Sequence, residues 1–110
     1  MNVLQKLRAA SIEREKDWNP TGNKVPIGFR FTEFAGEAGE VANAGKKLMR
    51  HDLGLVGGSP DQTNLKEELG DAIISLDLIA QHYGIDLWEC VVMKFNKTSA
   101  KHGFPTNLEK

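Results

Sequence analysis

Residues 65–80 read LKEELGDAIISLDLIA, and this stretch decides the fold class. Its apolar residues recur every three or four positions, which is the period of an α-helix with one buried face. They are Leu65, Leu69, Ala72, Leu76 and Ile79, continued by Tyr83. The preceding Ser59-Pro60-Asp61-Gln62 is typical of a helix start, with Ser59 as the cap. The pattern therefore predicts a helix from Ser59 to about Tyr83, closed by Gly84.

The same helical period appears in three other segments, so the sequence predicts an all-α fold of four helices. The other three run from about Asn2 to Lys16, from about Phe29 or Thr32 to Arg50, and from Asp86 to Gly103. The segments 18–28 and 51–63 are rich in glycine and proline and are expected to be loops. No long alternating run of β-branched residues indicates a strand.

The composition of the chain argues against several classes of function. The 110 residues fit one domain, 1–110, and the 14 basic and 15 acidic residues give a net charge of −1. A binder of polymeric nucleic acid is expected to be strongly basic, so that class is disfavoured. The lone Cys90 fits a reducing compartment. No apolar run has membrane-spanning length, and no signal-peptide core is found, so a cytoplasmic protein without membrane contact is expected.

Two pairs of acids are the main functional signal. Glu37 and Glu40 lie three residues apart, as do Glu68 and Asp71, so each pair shares one face of its helix. Both pairs flank an apolar stripe. If the two faces meet, four negative charges converge, and they need cations to stay ionised. Hard oxygen ligands in this number suit Mg²⁺, or alternatively Mn²⁺. The sequence therefore predicts a metal site for phosphate chemistry.

The alternative is that these acids lie on solvated helix faces, paired with Lys46, Lys47 or Lys66. Other metal and phosphate sites fit less well. No histidine has a glutamate three residues before it, as a di-iron bundle requires. The dipeptide His51-Asp52 lacks the upstream histidine of a histidine–aspartate phosphohydrolase, and no phosphate-binding glycine loop is present.

The acidic pattern resembles that of the MazG-like family of all-α nucleoside triphosphate pyrophosphohydrolases. It reads Glu37-x-x-Glu40, a spacer of 27 residues, and then Glu68-x-x-Asp71. The flanking segments EFAGEAGEVANAGKKL and LKEELGDAIISLDLIA are also similar to the family, as is KFNKTSAKHGFP near the end. The resemblance covers about residues 29–105.

The resemblance implies a reaction and an assembly. A nucleoside triphosphate is split into monophosphate and pyrophosphate, with Glu37, Glu40, Glu68 and Asp71 as metal-binding and catalytic residues. Glu37 is the first choice for the carboxylate that accepts the proton of water, with Glu33 or Glu67 as alternatives. The four-helix bundle is expected to be completed by oligomerisation, as a homodimer or homotetramer.

Substrate contacts are expected from another part of the chain. Lys94 and Lys97 lie on one stripe of the fourth helix and could face a polyphosphate. Relatives place an asparagine four residues after this lysine, where this chain has Thr98. The nearby Asn96 is the substitute candidate. Trp18 could stack on a base, although an aromatic plug beneath the loop is the alternative interpretation.

Two other functions stay open at this stage. The chain could be a non-catalytic helical module that binds nucleotide or protein and keeps its acids for metal or nucleotide capture. It could also be a plain structural helical domain with solvated acids. Pyrophosphate release separates the enzyme from both, and stabilisation by metal separates the binding module from the structural domain.

Overall fold

A computed structural model describes residues 1–110 as four α-helices without a strand, which confirms the predicted all-α class. The helices are α1 (Val3–Trp18), α2 (Ile27–Asp52), α3 (Thr63–His82) and α4 (Leu87–His102). The chain divides into two compact units. The first combines Met1–Asn23 with Ala80–Lys110, and the second is Lys24–Ile79. No helix is long and apolar enough to cross a membrane.

In the first unit, α1 is tied to the start of α4 by two side chains. Gln5 Nε2 donates to Asp86 Oδ2 at 2.7 Å, and Arg8 Nη2 donates to the Ile85 carbonyl at 2.7 Å. Asp86 is also the N-cap of α4, because its Oδ1 accepts the Glu89 N–H at 3.0 Å. The hydrogen bond from the Glu89 backbone is the main cause that lowers the pKa of Asp86, and the bond from Gln5 adds to it. One carboxylate thus starts α4 and fixes α1 against it.

The C-terminal residues of the first unit fold back along α4. Gly103 ends the helix in the left-handed conformation, with φ 69°, which glycine adopts without strain. Leu108 N–H then donates to Asn96 Oδ1 at 2.7 Å, and Asn96 Nδ2 donates to the Leu108 carbonyl at 3.0 Å. The Asn96 carboxamide therefore holds the tail by both of its polar atoms.

In the second unit, three predicted helix boundaries are wrong. α2 begins at Ile27, before the expected Phe29 or Thr32. It continues to Asp52, so His51 and Asp52 are helical and not part of the loop. α3 begins at Thr63 and not at Ser59. Ser59 Oγ accepts the Asp61 N–H at 3.2 Å, and Asp61 Oδ1 accepts the Thr63 N–H at 3.0 Å. These two successive side-chain turns compete with the helix and delay its start.

The connection between α2 and α3 folds back onto the last turn of α2. Leu55 N–H donates to the Arg50 carbonyl at 2.8 Å, and Ser59 N–H donates to the Lys47 carbonyl at 3.3 Å. Gly58 lies against the helix backbone at this point. A Cβ atom there would be 2.7 Å from both the Arg50 carbonyl carbon and the His51 Cα. Only glycine permits this approach.

Gly58→Ala is expected to destabilise the fold by about 2 kcal/mol or more, because backbone atoms must move to admit the methyl group. Urea unfolding followed by circular dichroism measures the change. Gly28→Ala is the matched control, since a Cβ at Gly28 meets nothing within 4 Å. Equal unfolding midpoints for the Gly58 variant and wild type would mean that the connection shifts freely.

The helix faces that are buried differ from the predicted apolar stripes. The buried residue of α2 is Ala44, which continues the line of Glu33, Glu37 and Glu40. On α3, Ser75 is only 3% exposed, whereas the predicted core residue Leu69 is 49% exposed. The expectation that Leu69 and Tyr83 are buried is therefore wrong. The acid-bearing line of each helix thus contains a buried position, Ala44 or Ser75, and part of each apolar stripe lies on the surface.

Candidate metal centre

Three of the predicted acids come together between α2 and α3. One carboxylate oxygen from each of Glu37, Glu40 and Glu68 lies within 4.8 Å of the others. The helical spacing explains this arrangement, because Glu37 and Glu40 share a face of α2 and Glu68 lies on the buried side of α3. Glu37 and Glu68 are half-buried, and Glu40 is exposed. The group is therefore open to solvent on the side of Glu40.

The shared charge changes how Glu68 titrates. A hydrogen bond with Glu40 is the main cause that raises the pKa of Glu68 to about 7, followed by burial. The negative charges of Glu40, Asp71 and Glu37 add to the effect. Two carboxylates at hydrogen-bonding distance share a proton because both cannot remain ionised at low cost. Without a cation, the pair Glu40–Glu68 therefore retains a proton near neutral pH.

Ionisation of the Glu37 carboxyl group is also unfavourable. Its pKa is raised by burial first, and then by the charges of Asp71, Glu40 and Glu33. The charges that raise the pKa of Glu37 and of Glu68 are those of neighbouring carboxylates. A cation beside these groups would relieve this repulsion.

Two oxygens of the cluster have no hydrogen-bond partner. Glu37 Oε2 and Glu68 Oε2 are both buried and unpaired. Buried carboxylate oxygens are normally hydrogen-bonded or bound to a cation. The donor set is all oxygen, which favours Mg²⁺ or Mn²⁺ over softer metals. The residues present therefore fit a hard divalent cation.

Asp71 is close to this cluster but is not one of its three converging acids. It is exposed, and its charge raises the pKa of both Glu37 and Glu68. On the other side, Glu33 is one turn before Glu37 and pairs with Arg30 Nη1 at 3.2 Å. Asp71 and Glu33 thus flank the three-carboxylate group.

The predicted substrate residues all belong to the first unit, whereas the acids belong to the second. Lys94 and Lys97 are exposed on α4, and Trp18 is exposed as the last residue of α1. Asn96 is half-buried, and its carboxamide already holds Leu108. The carboxamide of Asn96 therefore has one N–H and one lone pair left for any contact with substrate.

Ser75 lies on the same line of α3 as Glu68 and Asp71, but it was not among the predicted site residues. It is almost completely buried, and its hydroxyl has no partner in the protein. The available signal was its position, four residues after Asp71 and seven after Glu68, which is the same helix face. The sequence did not predict that Ser75 is buried, because serine is mostly an exposed residue.

Comparison with known families gives a match to the MazG nucleotide pyrophosphohydrolase domain over residues 31–104, or 74 of the 110 residues. The matched range contains all four acids and extends into both compact units. No curated protein and no solved structure matches the chain. Since the family match extends over more than half of its length, the chain belongs to the MazG nucleotide pyrophosphohydrolase domain family.

Proposed function

We propose that this protein hydrolyses a nucleoside triphosphate, or its deoxy form, to monophosphate and pyrophosphate with Mg²⁺. The family supports nucleotide pyrophosphohydrolysis in general. The observation that carries the finer proposal is the pair of buried, unpaired oxygens, Glu37 Oε2 and Glu68 Oε2, within a group of three converging acids. Such oxygens need a cation, and a cation among carboxylates is the usual device for handling polyphosphate.

The acids have separate roles in this proposal. Glu37, Glu40 and Glu68 hold Mg²⁺, or Mn²⁺ in its place, and Asp71 completes the ligand set from the exposed side. The bound ion supplies Lewis-acid polarisation of the phosphate oxygens and neutralises charge that develops on pyrophosphate. Glu37 remains the first choice as proton acceptor for the attacking water, because its carboxylate is half-buried among the other acids.

Lys94 and Lys97 are proposed to attract the polyphosphate. Both are exposed on α4, and neither has an ion pair in the structure. An ammonium group is a compact point charge that suits phosphate oxygens. Trp18 is proposed as a stacking surface for the base because it is exposed at the end of α1.

Product analysis tests the proposal. The purified protein is incubated with a panel of ribo- and deoxynucleoside triphosphates in Mg²⁺, with and without a chelator. We expect pyrophosphate and monophosphate, no orthophosphate, and no turnover in the chelated samples. Metal-dependent thermal stabilisation without turnover of any nucleotide would favour the non-catalytic binding module instead. Absence of both would favour a structural domain.

Self-association is proposed on the basis of exposed apolar side chains. Leu69 and Ile73 are 49% and 47% exposed on α3, and Phe31 and Met49 are exposed on α2. Phe31 and Met49 lie 18 positions apart, which is about five helical turns, so they share one side of α2. An exposed apolar face of this kind is typical of a subunit interface.

Light scattering at about micromolar concentration is expected to give the mass of a homodimer or homotetramer. Ile73→Glu is expected to shift the protein towards monomer, because it places a charge within the apolar face. A wild-type protein that is monomeric under these conditions would contradict the proposal. The cytoplasmic location expected from the sequence stays a prediction.

A further inference from the structure

The connection between the helices and the acidic cluster define how α2 and α3 run past each other. The Ser59 N–H donates to the Lys47 carbonyl at 3.3 Å, and further along both helices Glu68 converges with Glu37 and Glu40. From the first contact to the second, the numbering falls along α2 and rises along α3. The helices are therefore antiparallel at this point.

In this orientation, α2 before Glu37 runs alongside α3 after Asp71. One turn before Glu37 is Glu33, and one turn after Asp71 is Ser75. Glu33 is only partly exposed, at 32% of its side chain, and is held by Arg30. Ser75 therefore lies one turn beyond the acidic cluster, on the same face of α3 as Glu68 and Asp71.

Ser75 is buried in an unusual state for a serine. It is 3% exposed, and its Oγ has no hydrogen-bond partner in the protein. Asp77, the other buried polar residue of α3 in this unit, does have an interaction partner. Side chains on a helix lean towards its N-terminus, so the Ser75 hydroxyl is directed towards the turn that carries Asp71. A buried hydroxyl without a partner, one turn beyond a cluster that has two buried and unpaired carboxylate oxygens, requires an explanation.

We infer that Ser75 is a positioning residue of the metal centre, and that its hydroxyl donates through an ordered water to the ligand carboxylates of Glu37 and Asp71. A bridging water satisfies the Ser75 donor and an acceptor such as Glu37 Oε2 together. Outer partners of this kind fix the orientation of metal ligands and tune their affinity. The inference rests on the proposed function, because it assumes that the acids bind a cation.

A purely structural role for Ser75 makes a different prediction. If the position only needs a small residue where α2 and α3 meet, alanine serves at least as well, because it favours helix and carries no buried polar group. Metal affinity is then unchanged. If the hydroxyl orients the ligands, alanine leaves the metal-free fold intact and weakens metal binding. The two roles are therefore separated by a binding measurement that does not depend on turnover.

The experiment is a titration of the metal-free protein with Mn²⁺, with free Mn²⁺ counted by electron paramagnetic resonance. Wild type is compared with Ser75→Ala and with Ser11→Ala. Ser11 is the matched control, since it is also buried and has an unpaired hydroxyl, but lies on α1 in the first unit. We expect Ser75→Ala to weaken Mn²⁺ binding by about 10- to 100-fold, and Ser11→Ala to leave it unchanged. The melting temperature of metal-free Ser75→Ala is expected to be no lower than that of wild type.

Each other outcome has a definite meaning. Equal Mn²⁺ affinity for wild type and Ser75→Ala would overturn the inference while leaving the proposed metal site in place. No Mn²⁺ binding by folded wild type would instead overturn the metal-dependent function itself. Ser75→Thr, which retains a hydroxyl, is expected to bind Mn²⁺ more tightly than Ser75→Ala. A folded threonine variant that binds as weakly as the alanine variant would show that the hydroxyl is not the group responsible.

Discussion

With Glu68 replaced by glutamine, pyrophosphate release is expected to fall by at least about a thousandfold. Glu68 supplies one of the three converging ligand oxygens, and its Oε2 is buried and unpaired. The amide has nearly the same shape but no negative charge, and it places an N–H₂ donor where a cation needs an acceptor. The loss is therefore expected in metal binding and in turnover together.

The fold itself should survive this change. At about pH 8, above the raised pKa of Glu68, the neutral amide removes like-charge repulsion, and the metal-free variant should melt no lower than wild type. Glu89→Gln is the matched control, because it makes the same chemical change at an exposed position on α4. Wild-type rates in the Glu68 variant, measured as pyrophosphate per minute with excess Mg²⁺, would remove the proposed site.

The acidic centre was predictable because it depends on local spacing. Glu37 and Glu40 share a helix face because they are three residues apart, and this does not depend on how the helices pack. The apolar stripe of residues 65–80 was enough to establish α3, and the Gly- and Pro-rich segments were enough to separate the helices. Convergence of Glu37, Glu40 and Glu68 then follows once the acid-bearing faces pack together.

The sequence could not show which face of each helix is buried within the chain. Leu69 and Ser75 lie on adjacent lines of α3, and hydrophobicity alone assigns Leu69 to the core. The structure buries Ser75 and leaves Leu69 half-exposed. A wide apolar face serves an interchain contact as well as a core, so composition does not separate the two uses.

Long-range and competing hydrogen bonds were also beyond the sequence. Asn96 holds the backbone of Leu108, twelve residues away, and nothing in the local pattern near Asn96 indicates that pairing. The late start of α3 has a similar origin. Ser59, Asp61 and Thr63 form successive side-chain turns, although the same residue types favour a helix cap when read in order.

Metal affinity is expected to depend steeply on pH, and this is the second large effect. Below about pH 7, Glu68 retains a proton that it shares with Glu40, and a cation can bind both carboxylates only if that proton leaves. The apparent dissociation constant for Mn²⁺ should therefore rise by about tenfold for each pH unit below 7, and level off above it.

The metal-free fold should respond to pH in the opposite direction. Between pH 4.5 and about 7, folded Glu68 holds a proton that the unfolded chain has already released. Stability falls with rising pH wherever the folded state binds more protons, so Glu68 lowers the stability of the metal-free protein across this window. Glu37, whose pKa is also raised above 4.5, acts in the same sense. Saturating Mn²⁺ should reverse the trend, because the bound cation favours the ionised carboxylates.

Calorimetric titrations with Mn²⁺ between about pH 5.5 and 8 measure both the affinity and the proton release, if each is repeated in buffers of different ionisation enthalpy. We expect close to one proton released per site at about pH 6 and almost none at about pH 8. Glu40→Gln removes the partner that shares the proton, so any residual binding should lose most of its pH dependence. Affinity that is independent of pH in wild type would mean that the Glu40–Glu68 pair is ionised without metal, and that the cluster is less crowded than its geometry indicates.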